Sequence, residues 1–348
     1  MVSLLMSQTH RRTGHRLGGG GGRPEPGSGR ARHSVRAVHI ARPGCGAHGV
    51  TRPTWRPHGE AIKLRCRRTG RRLLAALLAL CALAYARPAS AAETNTNQTV
   101  RVAGIVLKWI RADKEANYRR VEPLIREAAA RGARIVCTTE CFLDGYAIAD
   151  KSIPLEQYRA LGEPIPDGEY FRQLAALAAE LKLHLIAGFT EADGEARYNT
   201  SVLIGPDGKL AGKYRKQKLQ HESVRNTPGD ASPVFDTPYG QMGIMICADR
   251  TEPTIVRRFC AQGADFLICP SGGMFGPKSN DPIVQKRSEE NKIHIVFVHP
   301  AEFLVTGPDG SILSRTILGD LLLISPEQAG GEKDENRVFY FDLPMRRK

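Results

Sequence analysis

A chain of 348 residues, 41% hydrophobic and 25% charged, can hold one large domain or two, and its formal charge of +14 first suggests a nucleic-acid or anionic-membrane partner. The distribution of that charge removes the suggestion. Residues 1–92 carry 17 Lys+Arg against 2 Asp+Glu, a net of +15, whereas residues 93–348 carry 33 against 34, a net of −1.

The basic segment is foreign to the rest in composition. Residues 1–64 are rich in Arg, Gly, Pro and His, as in GHRLGGGGGRPEPGSGR (14–30), and show no sustained apolar period. Such a segment cannot bury enough surface to offset its ordering entropy, so disorder is expected. Residues 65–92 follow another plan: basic RCRRTGRR, then 14 apolar residues (LLAALLALCALAYA), then small residues around Ala89-Ser90-Ala91. That is the pattern of a secretory signal, with an apolar run too short for a comfortable membrane span. Export is therefore expected, periplasmic or secreted, with no stable membrane anchor after cleavage. One explanation for a signal this far from Met1 is a start site assigned too far upstream, which would make residues 1 to about 60 an artefact of the reading frame.

From residue 99 two periods alternate. TVRVAGIVL (99–107) reads as a strand and EANYRRVEPLIREAAARGA (115–133) as an amphipathic helix closed near Gly132. Strand ARIVCTT, a loop, and helix 169–183 follow, then strands HLIAGFT and RYNTSVLIG and a turn at Pro206-Asp207-Gly208 leading into KLAGKYRK. The second half repeats the rhythm: strand GIMIC, helix TIVRRFCAQGA, strand DFLICPSG, helix PIVQKRSEENK and strand IHIVFVHP. A second Pro-Asp-Gly turn at 308–310 precedes paired strands to residue 344. Nothing divides residues 93–348, so one α/β domain on a largely buried sheet is expected.

Cys137, Cys141, Cys247, Cys260 and Cys269 remain after the leader, an odd number without metal-ligand spacing. No metal is expected. Buried thiols are the simplest reading, and if the protein is exported the sequence does not choose among disulfide pairings.

In open α/β architectures reactive groups gather just past strand C-termini. Glu140 follows ARIVCTT, Lys216 follows LAGKYR, and Cys247 ends GIMI. Singly these are a loop acid, a surface lysine and a core thiol. Together they form a workable set: an ammonium beside a thiol favours the thiolate, and a carboxylate within reach takes the thiol proton and returns it to a leaving amine. The ammonium and the backbone N–H of Ala248 could hold an oxyanion. That combination suits hydrolysis of an amide through a thioester.

The blocks TTECFLDGYAI (138–148), GKYRKQKLQHES (212–223) and MGIMICADR (242–250), in this order, resemble the three signature blocks of the nitrilase superfamily of carbon–nitrogen hydrolases. YNTSVLIGPDGKLAGKYRK, the TPGD at 227–230, GADFLICPSG and Arg287, Glu290 and Asn291 of RSEENKIHIVFV support the likeness, which covers essentially all of residues 100–343. The resemblance implies a four-layer α-β-β-α sandwich, a catalytic Glu140–Lys216–Cys247 triad, no metal or organic cofactor, and pairing into a homodimer or higher homo-oligomer through the helical face behind the cysteine. It also implies a second glutamate, Glu222, orienting a small-molecule substrate, with Tyr146, Ala248 and Arg250 as further substrate contacts. Glu222 as a solvated loop acid is the competing expectation.

Three departures touch the pocket loops. Thr139 stands where proline is usual, Lys218 where histidine is usual, and GMFGPKSNDP replaces a frequent His-Trp pair. After the nucleophile, Ala248-Asp249-Arg250 differs from the Trp-Glu-Asn of true nitrilases, which favours an amide or an N-carbamoyl substrate over a nitrile. Arg250 could clamp a substrate carboxylate through its guanidinium fork, or pair with Glu252 or Asp249. The rival expectations are a non-catalytic binding member of the family, against which the intact triad argues, and a nucleic-acid binder, against which the segmental charge argues.

Overall fold

The elements form where the two sequence periods place them. The computed structural model describes residues 98–273, 275–319 and 322–345, all within a unit spanning Ala86–Lys348; the leader and the signal segment lie outside the described residues. The first half runs β1 (Thr99–Val106), β2 (Trp109–Ile110), α1 (Lys114–Ala130), β3 (Ile135–Cys137), α2 (Leu155–Ala160), β4 (Glu163–Pro164), α3 (Glu169–Leu181), β5 (His184–Asp193), β6 (Ala196–Ile204) and β7 (Leu210–Arg215). The second half runs β8 (Val234–Thr237), β9 (Gly240–Ile244), α4 (Pro253–Ala261), β10 (Phe266–Pro270), α5 (Pro277–Asn291), β11 (His294–His299), β12 (Glu302–Thr306), β13 (Ile312–Ile317), β14 (Leu323–Ile324) and β15 (Arg337–Pro344).

Helix α1 starts where Asp113 accepts the Ala116 N–H at 2.9 Å, a side-chain cap for an otherwise orphan donor. Its buried residues Asn117, Val121, Ile125 and Ala128 recur at helical spacing, and Gly132 follows its end with φ +83°.

Two sheets carry the fold. The first has strand order β15-β1-β3-β5-β6-β7, with β4 added on β5; the second has order β13-β12-β11-β10-β9-β8; β14 and β2 form a separate pair. One face of the first sheet (Val102, Ile135, Cys137, Ile186, Leu203) shares a core with Ile244, Ile268, Val296 and Val305 of the second. The opposite face packs Ala103, Val136 and Leu185 under α1 and α3, while Val256, Phe259 and Val284 of α4 and α5 belong to the core of the second sheet. This is the expected α-β-β-α layering. The sheets approach closely at Gly104, where a Cβ would sit 2.4 Å from the Phe303 ring. Apolar burial is what joins the layers: each fully buried Ile, Val or Leu contributes about 1.5–3 kcal/mol, against less than about 1 for a surface pair such as Arg101–Asp342 at 2.8 Å.

Three details depart from the sequence reading. The strand before Cys247 stops at Ile244, and Cys247 opens a 3₁₀ turn, Cys247–Thr251. Helix α5 begins at Pro277 rather than 282, because proline suits the first helical position, so part of GMFGPKSNDP is helical. The last strand leaves the hairpin that precedes it and crosses to the first sheet, where it runs antiparallel to β1 with Thr99 opposite Pro344.

Candidate active site

Parallel pairing of β1 with β3 and of β9, β10 and β11 brings several strand C-termini to one edge of both sheets. Glu140 lies just beyond β3, Lys216 directly after β7, and Cys247 after β9. A backbone bond from Glu140 N–H to the Ser271 carbonyl, 3.3 Å, ties the two sheet edges together there.

All three side chains are buried. Lys216 Nζ donates to Glu140 Oε1 at 2.7 Å and to Glu222 Oε1. Asn199 on β6 bridges the same two acids, its Nδ2 lying 2.7 Å from Glu140 Oε1 and 3.0 Å from Glu222 Oε2. The Tyr146 hydroxyl donates to Glu222 Oε1 at 2.9 Å, and its ring stacks on Trp109 with centroids 5.3 Å apart. Glu222 is fully enclosed and bonded at both oxygens, which removes the solvated-acid expectation. Glu140 Oε2 is different: it is buried and has no hydrogen-bond partner.

Cys247 has φ +45°, in the left-handed region that a side chain adopts only when its surroundings impose it. Asp249 supplies that constraint. Its carboxylate accepts from the N–H groups of Ile246 at 3.0 Å, Gln217 at 3.2 Å and Lys218 at 2.8 Å, and from the Tyr214 hydroxyl at 2.8 Å. One buried acid thus joins the cysteine turn to the segment carrying Lys216. Burial pushes the Asp249 carboxyl up to about 6 despite these donors.

The sulfur sits 3.5 Å from the Gly272 carbonyl and 3.6 Å from Arg250 Nη1. Burial, and then the Glu140 charge, raise the Cys247 thiol above its ordinary value, against the pull of Lys216 and Arg250. Lys216 does favour the thiolate, as expected, but burial outweighs its pull. Lys216 itself is held charged, since burial disfavours the ammonium but Glu140 and Glu222 outweigh that cost.

Arg250 pairs with neither Glu252 nor Asp249. Its Nη2 donates to Asn280 Oδ1, its guanidinium lies 5.4 Å from the Phe297 ring centroid, and its Nε has no partner. Thr139, at the usual proline position, accepts the Trp109 indole N–H at 2.9 Å, a bond proline could not make. Lys218 points away, half-exposed, with Nζ 3.9 Å from Glu252.

A cavity of roughly 500 Å³ opens beside the sulfur. Lys216, Cys247, Ala248, Arg250 and Tyr146 all line it, with Trp109, Ile283, Leu322 and Leu323 among its apolar walls. Ala248 is the second residue of the 3₁₀ turn, so its N–H has no carbonyl within the turn to bond. No cluster of three or more His, Cys, Asp or Glu suited to a metal ion occurs among the described residues. The structure thus brings Glu140, Lys216, Cys247, Glu222, Tyr146, Ala248 and Arg250 together, whereas Lys218 turns away. It adds Asn199, Trp109, Asp249, Asn280 and Gly272, which sequence reasoning missed as parts of the site. Asp249 was named only as a possible partner of Arg250, and Asn199 left a trace as an amide in the middle of an otherwise strand-like run.

The carbon-nitrogen hydrolase family profile matches residues 99–324. The chain belongs to this family. Within it, the chain is 33% identical over 216 residues to the omega-amidase NIT2 of Homo sapiens, covering 58% of this chain and 74% of that one. It is 33% identical over 201 residues to a nitrilase of Pyrococcus abyssi, covering 57% and 73%. The Saccharomyces cerevisiae Nit3 structure, from branch 10 of the nitrilase superfamily, superposes with a TM-score of 0.59 at 27% identity, over 70% of this chain and 90% of that one. The resemblance read from the three blocks is thereby established at family level.

Proposed function

We propose that this carbon–nitrogen hydrolase cleaves small linear amides through a thioester on Cys247, with Glu140 and Lys216 completing a catalytic triad. The observation that carries the reading is a thiol and a buried ammonium lining one cavity, with a carboxylate hydrogen-bonded to that ammonium whose second oxygen is unpartnered. Glu140 Oε2 takes the Sγ proton as the sulfur attacks the amide carbonyl. Lys216 has three N–H bonds and spends two on glutamates, leaving one for the oxyanion, with the Ala248 N–H as the second donor. Glu140 then returns its proton to the leaving nitrogen as the C–N bond breaks. In the second half Glu140 deprotonates water, which attacks the thioester; the carboxylate departs and the sulfur regains its proton.

Because the thiol is protonated at rest, its proton moves only when a carbonyl is present to accept the sulfur. Omega-amidase activity in the relatives supports an amide substrate. The alternative, an N-carbamoyl amino acid clamped by Arg250, fits less well: Nη1 already reaches the sulfur and Nη2 is already held by Asn280. We also propose that the enzyme is exported, on the basic, apolar and small-residue pattern at 65–92; N-terminal sequencing of exported protein should then begin after Ala91.

The test is a panel of primary amides, monoamides of dicarboxylic acids, N-carbamoyl compounds and nitriles, run with wild type and Cys247→Ala. Wild type should hydrolyse amides and show an acyl adduct on Cys247 by mass spectrometry, and the alanine variant should do neither. Retained hydrolysis in Cys247→Ala, or wild-type turnover confined to nitriles, refutes the proposal.

A further inference from the structure

Glu302 on β12 is fully buried, and neither of its carboxyl oxygens meets a well-aligned hydrogen-bond donor, although the Asn280 amide lies close to it. Asp281 on α5 lies against it. Asp281 Oδ2 accepts from Arg315 Nη1 on β13 at 2.9 Å, while its Oδ1 has no donor. Two carboxylates buried side by side do not both ionise; one proton shared between them supplies the missing bond. Burial, and then the Asp281 carboxyl, push Glu302 up to about 8, so the pair holds that proton at neutral pH.

The pair adjoins the arm that reaches the sulfur. Asn280, next to Asp281, accepts from Arg250 Nη2 and donates to the Phe275 carbonyl at 2.7 Å. Arg250 Nη1 in turn lies 3.6 Å from Cys247 Sγ. We propose that Glu302 and Asp281, through the proton they share, are positioning residues that keep Arg250 beside the Cys247 sulfur.

While the proton is present the pair carries one charge, which Arg315 balances from β13. Its loss adds a second charge next to Asn280, and Arg250, whose Nε is unpartnered, is the cation on the far side of that amide. Other groups around the pair do not take its place. Lys108 Nζ is engaged by the Pro300 carbonyl at 2.9 Å and the Leu318 carbonyl at 2.7 Å. His299, paired with Glu302 in the β11–β12 register, is kept neutral, since burial lowers it to about 4. Arg250 is therefore drawn toward the acids as the proton leaves, and the sulfur loses its nearby positive charge.

The inference rests on Cys247 as the nucleophile, yet its test reads the sulfur without any substrate, so a failed amide panel and a failed positioning role remain distinguishable. The measurement is the rate of Cys247 alkylation by iodoacetamide, assigned by peptide mass spectrometry, across pH 6–10. Wild type should gain rate less steeply above about pH 8 than below it, the value to which Glu302 is raised. Glu302→Gln, whose amide donates permanently to Asp281, should match wild type at pH 7 and exceed it at pH 9 by about tenfold, the effect of one pKa unit on thiolate fraction. Asp281→Asn provides the same neutral donor from the other side and should behave alike. Adding Arg250→Gln should erase the difference. A wild-type profile without a break, a ratio unchanged between pH 7 and 9, or a difference that survives Arg250→Gln would each overturn the proposal.

Discussion

The two sheets furnish the site with opposite kinds of residue. On the first sheet, Glu140, Lys216, Asn199 and Glu222 form a network with bonds of 2.5–3.0 Å. On the second, Cys247 sits on a left-handed backbone with its sulfur 3.5 Å from the Gly272 carbonyl and 3.6 Å from Arg250 Nη1. Groups that must keep their charge and place are each held by two or more hydrogen bonds, while the atom that must form and break a bond is held through its backbone. The unpartnered oxygen of Glu140 is where the bonded half opens toward the loose one.

The sharpest way to break this division is Glu140→Gln. The amide still accepts from Lys216, so the network persists, but Oε2 is replaced by a group that cannot take a proton. kcat/KM should fall on the order of 10³-fold with stability little changed. Burial, only partly offset by the Lys216 ammonium, raises the Glu140 carboxyl above its ordinary value. The base must be ionised, so wild-type kcat/KM should decline as pH falls through a value above the usual carboxylate figure of about 4.3. A wild-type acid limb at or below that figure would remove Glu140 as the base.

Gly272→Ala attacks the gap between the halves. A Cβ there would lie 2.5 Å from the Trp109 ring and 2.9 Å from Glu140 Oε2, while the Gly272 carbonyl remains the sulfur's nearest bond partner. The glycine is required by this close approach. Shifting the reacting groups apart by about 1 Å costs roughly 10²-fold in kcat, alongside about 1–3 kcal/mol of overpacking. Unchanged kcat with reduced stability would show that the glycine serves packing alone.

Much of this was legible before any coordinates. Alternating periods indicated one α/β domain, the resemblance of the three blocks implied its layers, and Glu140, Lys216, Glu222 and Cys247 each followed a readable strand or block. The partners were harder to see. Asn199 sits in a strand whose pattern says only that one face is buried, and its bridge to residues 59 and 23 positions away depends on sheet order. Trp109 meets Tyr146 because a two-residue strand pairs with β14, more than 200 residues downstream, and no local signal marks so short a pairing. Arg250 was visible as a charge, but its neighbours Asn280 and Phe297 come from a helix that starts earlier than its pattern suggested and from a strand two places along the sheet.

The mildest perturbation addresses how the loose half is held. Asp249 accepts four bonds, and Asp249→Asn turns one accepting oxygen into a donor. With Oδ2 replaced, the Ile246 N–H and the Tyr214 hydroxyl lose their acceptor, which costs about 1–3 kcal/mol. The pH dependence separates this from a general loss of packing. The folded-state value of about 6 lies above the ordinary aspartate figure, so the contribution of this group to stability is full below about pH 4 and is lost as pH rises through 6. Denaturant titrations of wild type between pH 4 and 7 should show that decline, and Asp249→Asn, which has no proton to lose there, should flatten it while lowering the whole curve. Parallel curves for the two proteins would mean that the strained cysteine turn is held by something other than this carboxyl.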